Sequence, residues 1–187
     1  MTKIQLNLMM QEALEIQHKY AKSYKDIKKK SILSGCTNDE ATTIAYNDLE
    51  SLNKKRQLKS YGAMQYARKC FNNKNWDALI DFLTIDAPAF RIGYQKEYFL
   101  RKMRKVELSE AHKQEIKNFI LTILQLNGYR RELKDFAKLS FTWFTDAEID
   151  NLHKLEACAT NPLHKQKIVY FYSWIIDLKK DQCHLTE

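Results

Sequence analysis

The chain has 187 residues, with 31 Lys and Arg against 23 Asp and Glu, a formal charge of +8. Four Gly and two Pro exclude collagen-like, linker-like and proline-rich chains, and they argue against an all-β sandwich or barrel, whose hairpins need turn residues. With 44% hydrophobic and 12% aromatic residues the chain can build a core, which argues against wholesale disorder, and an all-α protein with a basic surface is the expectation.

The length suits one domain over 1–187, with the first helix protruding or docking. The longest apolar run, 168–176, is broken by Ser173 and falls well short of the ~18 residues that a membrane span requires. Residues 1–10 lack a basic stretch leading into a long apolar one, so they do not read as a signal peptide. Cys36, Cys70, Cys158 and Cys183 are widely spaced in a chain large enough to need no disulfide. Reduced thiols in the cytoplasm follow, with no membrane association.

Residues 3–33 read as one long helix, with Ile4, Leu8, Ala13, Ile16, Tyr20 and Ile27 marking one face. Lys28-Lys29-Lys30 suits its negative end, and Gly35 its stop. Thr37-Asn38-Asp39-Glu40 is a capping box. It starts a helix from about 38 into the high fifties, with Ala41, Ile44, Ala45, Leu49 and Leu52 inward. Gly62 permits continuation or a break, and helical spacing resumes through Met64, Ala67, Cys70 and Phe71. Asn75 caps a short helix with Trp76, Leu79, Ile80 and Leu83 inward. Asp86-Ala87-Pro88 restarts the chain in a helix to about 105, with Ile92, Phe99, Met103 and Val106 inward.

Ser109 caps a helix over about 110–127, closed by Gly128, whose Ile116, Phe119, Ile120, Ile123 and Leu124 form a core stripe. Residues 130–144 carry Leu133, Phe136, Leu139, Phe141, Trp143 and Phe144 on most sides, as a central helix does. Thr145-Asp146-Ala147-Glu148 is a second capping box, for a helix to about 158. Asn161-Pro162 opens the last helix, about 162–180, with Ile168, Phe171, Tyr172, Ile175 and Leu178 inward. About eight helices in antiparallel αα-hairpins result. The hairpin spacing after residue 75 is similar to HEAT-like stacking, and an irregular helical bundle is the other reading.

Catalytic and metal chemistry find no motif. The ligand-type residues His153, Cys158, His164, Cys183 and His184 lack the paired spacing of zinc sites. His112-x-x-Glu115 reverses the order of a di-iron motif. There is no Gly-x-Ser-x-Gly elbow, and the four glycines are too far apart for a phosphate loop. The reading is therefore a non-enzymatic protein with no metal and no cofactor.

Charge is the informative feature. Residues 51–75 hold Lys54, Lys55, Arg56, Lys59, Arg68, Lys69 and Lys74 and no acid. Residues 91–105 hold Arg91, Lys96, Arg101, Lys102, Arg104 and Lys105 against Glu97 alone. At helical spacing Arg91, Tyr94, Tyr98, Arg101, Lys102 and Lys105 share one side, which can neutralise phosphates and offer rings for stacking. Arg130 and Arg131 extend this patch if their helix end lies beside it. The expected function is sequence-independent association with nucleic acid. The alternative is a small helical adaptor or inhibitor that binds an acidic or nucleic-acid-handling protein partner. The long first helix also suits pairing with a second copy of the chain, a homodimer.

Overall fold

The structure, a computed structural model, describes residues 1–87, 91–126 and 130–184, with side chains through Gln182. The described residues form nine α-helices and no strand: α1 (Lys3–Leu33), α2 (Asn38–Asp48), α3 (Glu50–Asn72), α4 (Trp76–Thr84), α5 (Ile92–Met103), α6 (Glu110–Gln125), α7 (Leu133–Ser140), α8 (Asp146–Cys158) and α9 (Pro162–His184). A short 3-10 turn, Phe141–Trp143, follows α7. No described helix is long and apolar enough to cross a membrane. The Pro88 restart and the Gly128 stop lie outside the described residues, as do the side chains of Cys183 and His184.

Contacts group the chain into two compact units, Met1–Ile92 and Gly93–Glu187. In the first unit α1 packs along α2 and α3 and also touches α4. Its buried stripe is Leu6, Met10, Ala13 and Tyr20. Ile4 and Leu8, expected on the inward face, are exposed. The reason is periodicity: steps of four, three and seven from Leu6 keep one heading at 3.6 residues per turn, and Ile4 and Leu8 fall on the opposite side. Gly35, at φ +95°, ends α1 in a Schellman motif. Its amide donates to the Ile32 carbonyl at 3.0 Å and the Cys36 amide to that of Ser31 at 3.1 Å.

The break after α2 falls at Leu49, not at Gly62. Gly62 stays within α3, where the Met9 sulfur of α1 lies 3.4 Å from where a Cβ would stand. The turn at Leu49 lets Ala41 and Ala45 of α2, and Ala63, Ala67 and Cys70 of α3, all be buried. Small residues at these contacts permit a close helix approach.

In the second unit α9 packs on α6, α7, α8 and the 3-10 turn. One helix serving four neighbours is bundle-like packing, unlike the neighbour-to-neighbour order of a solenoid. The shared core holds Phe99, Leu100 and Met103 of α5, the expected α6 stripe, Phe136 of α7, and Ile168, Phe171 and Ile175 of α9. The Phe119 and Phe136 rings lie 5.6 Å apart. The expected 130–144 helix is shorter than its composition suggests. It ends at Ser140, whose hydroxyl donates back to the Phe136 carbonyl at 2.8 Å and competes with the helical ladder. Phe144 is then extended and buried, and Lys117 donates to the Trp143 carbonyl at 3.2 Å.

Local signals place the helix starts. Thr37 and Thr145 form complete capping boxes with Glu40 and Glu148. Asn75, Ser109 and Asn161 accept from the backbone amides of Ala78, His112 and Leu163. The end of α6 is closed from a distance. Lys167 of α9 donates to the Ile123 carbonyl at 2.7 Å and to that of Leu126, and His164 places Nε2 on the Leu124 carbonyl. These contacts satisfy the orphan carbonyls of a helix C-terminus and set a positive charge at its negative end.

Candidate nucleic-acid interface

The sequence-derived residues divide between the units. Lys54, Lys55, Arg56, Lys59, Arg68, Lys69 and Arg91 belong to the first, and Tyr94, Tyr98, Arg101, Lys102, Lys105, Arg130 and Arg131 to the second.

In the first unit the basic residues of α3 do not share one free face. The Arg56 guanidinium turns inward, 4.3 Å from the Tyr20 ring centroid, and donates to Asn53 at 2.6 Å. Lys59 pairs with Glu12 of α1, and Lys54 with Glu50 one turn earlier at 2.6 Å. Lys55, Arg68 and Lys69 stand exposed. A turn of 100° per residue explains the scatter, since consecutive cations must diverge around the helix. A cleft of about 570 Å³ runs beside this helix, lined by Lys54, Gln57, Leu58, Tyr61, Met64 and Arg91. Leu58 is 71% exposed there. Arg91 holds a left-handed backbone, φ +61°, which is why α5 begins only at Ile92.

In the second unit the expected side of α5 is outward: Tyr94, Tyr98, Arg101 and Lys102 are all exposed, and so is Lys105, which falls in the turn after the helix ends at Met103. Behind them stand two buried acids, Glu97 at 7% and Asp135 at 6% exposure. Arg101 donates Nε and Nη2 to the two oxygens of Asp135, at 3.0 to 3.2 Å, and Nη2 also to Glu97 at 3.2 Å. Arg104 donates to Asp135 at 2.5 Å. Arg131 donates Nε to Glu97 and lays its guanidinium 3.4 Å from the Tyr94 ring centroid. Lys102 sits 5.7 Å from the Tyr98 ring centroid. The Asp135 hydrogen bonds raise the Arg101 pKa above its ordinary value, and the Glu97 bond does the same for Arg131.

Gly93 adjoins this frame. A Cβ there would stand 3.2 Å from two side-chain carbons of Arg131, so a larger residue makes that stem shift by a few tenths of an ångström where it crosses the start of α5. Glu132, also buried, lies on the same side of Gly93. Two further buried carboxylates, Asp135 of α7 and Glu132 of the turn before it, therefore stand among these cations, so the local positive surplus is smaller than the sequence suggests for 91–105. Lys102 and Lys105 have no ion pair among the described residues. Glu97 was within reach of sequence reasoning, since Glu97 and Arg101 have the i, i+4 spacing of a helical ion pair. Asp135 and Gly93 were not.

Among the described residues no three or more His, Cys, Asp or Glu gather as a metal site. Cys36, Cys70 and Cys158 are free thiols. Comparison with protein-family models, with curated proteins and with solved structures returns no match.

Proposed function

We propose that the chain is a non-enzymatic, cytoplasmic binding protein that holds nucleic acid by its phosphates without reading base sequence. The observation that carries this reading is the arginine frame of the second unit. Guanidinium groups fixed from behind by buried carboxylates keep their remaining N–H groups outward in a set geometry, so little entropy is lost when they meet a phosphate. Lys102 and Lys105 add mobile charge along the same side, and Tyr94 and Tyr98 add hydrogen-bonding rings. Nothing in this arrangement resembles a reading head for base edges.

The test is a fluorescence-anisotropy titration of labelled oligonucleotides at 50 and 200 mM salt. About five engaged cations predict a loss of roughly two to three decades in affinity over that range, through counterion release. Salt-insensitive binding, or none at 50 mM, overturns the reading. Asp135→Asn sharpens it. Coulomb's law alone says that removing a carboxylate beside a phosphate strengthens binding. If Asp135 aligns Arg101 and Arg104, the variant instead binds about three- to tenfold more weakly, because the amide offers one acceptor and turns a donor toward a guanidinium. Stronger binding by a variant of unchanged melting temperature would refute the aligning role.

A second reading has its own observation. The cleft of the first unit joins exposed Leu58 and Tyr61 to Lys54 and Arg91. An acidic amphipathic helix of a protein partner has the complementary chemistry. Titration with a labelled peptide of that kind is expected to show binding that Leu58→Asp abolishes, and binding unaffected by that change would exclude the cleft.

A further inference from the structure

α9 carries a second stripe that its core contacts do not use. Ile168, Phe171 and Ile175 are buried, while Leu163, Tyr170 and Trp174 lie to one side of them. The Tyr170 and Trp174 rings are nearly parallel, 18° apart with centroids at 6.1 Å. Gln166 donates to the Tyr170 hydroxyl at 2.8 Å and fixes that ring, which is 49% exposed. Between this stripe and the start of α7 lies a cleft of about 130 Å³. Its walls are mostly apolar, from Leu133, Leu163, Tyr170 and Trp174, with Gln166 and Arg130 beside them. Lys167 contributes its stem only, since its ammonium group caps α6.

We infer that this cleft takes an unpaired nucleobase, which makes single-stranded nucleic acid the ligand class; the inference rests on the phosphate-binding reading above. Three features select this occupant. The volume is that of one six-membered ring, since an apolar cavity of about 150 Å³ holds one benzene. Aromatic faces beside cations are how proteins bind single strands without sequence preference, and Lys134 stands 5.9 Å from the Trp174 ring centroid. The cleft also continues the basic face: Arg131, which holds Tyr94 of α5, is flanked by Arg130 and Lys134 on the side of α9. A strand with its phosphates on the α5 face then meets further cations beside a ring-sized slot. A duplex keeps its bases stacked inside and cannot fill that slot.

The test compares three labelled oligomers of equal length on the full chain at fixed salt: oligo(dT), the same backbone without bases, and a duplex. Oligo(dT) is expected to bind about tenfold more tightly than the abasic strand, the usual scale for one stacked base. Tyr170→Ala should remove that preference and leave abasic and duplex binding unchanged, and Tyr170→Phe, which keeps the ring, should retain it. Equal binding of oligo(dT) and the abasic strand overturns the inference while the phosphate reading stands. So does a Tyr170→Ala protein that keeps the full preference. Failure of all three oligomers to bind overturns both.

Discussion

Lys102→Glu combined with Lys105→Glu is expected to weaken binding of any oligonucleotide about a hundredfold at 50 mM salt. Both side chains are exposed, Lys102 on α5 and Lys105 in the turn that follows it, and neither has an ion pair among the described residues. Reversal therefore removes two phosphate contacts and adds two repulsions without disturbing an internal bridge. Each lost contact should flatten the salt dependence by about one unit of slope. Arg101 is the wrong residue for this purpose. It spans Asp135 and Glu97, so a glutamate there would break the frame as well as the charge. Unchanged affinity in the lysine double variant would remove the α5 face from the function. A large drop with an unchanged slope would mean that the lysines act through the fold.

Phe136→Ala should produce the largest loss of stability, about 3–5 kcal/mol, seen as a fall of roughly 10 °C in melting temperature. The ring is fully buried and stacks at a tilt on Phe119 of α6. It stands one residue after Asp135, on the helix that supplies the second buried acid of the arginine frame. The substitution leaves a cavity in the core of the second unit and loosens the element that aligns Arg101 and Arg104. Oligonucleotide binding should therefore fall along with stability. A melting temperature within a degree or two of the parent would mean that this core collapses around the gap.

The helix starts were legible because capping is a local transaction. Thr37, Asn75, Ser109, Thr145 and Asn161 each meet their partner amides within three residues, and no distant part of the chain has to be known. Periodicity served well where one stripe dominates, as in α6, and less well in α1. There Ile4 and Leu8 offered a competing apolar pattern, and packing of this end of α1 beside α3 and α4 shows that Leu6 and Met10 face inward. Composition overstated the helix that follows Arg130, because the aromatic residues after Ser140 are buried through a tighter turn and an extended residue.

The candidate site divides along the same line. Sequence by itself determined an all-helical chain, the positions of its caps, and an outward side of α5 that carries Tyr94, Tyr98, Arg101 and Lys102. These follow from the 3.6-residue period and from the preference of charge for water. Tertiary structure alone decided which cations are held and which are free to act. Asp135 reaches Arg101 across 34 residues of chain, the Arg131 stem crosses close to Gly93, and Tyr20 takes Arg56 out of the basic face of α3. An ion pair at such separation depends on how helices pack. Packing is set by the whole core, so no short window of residues contains it.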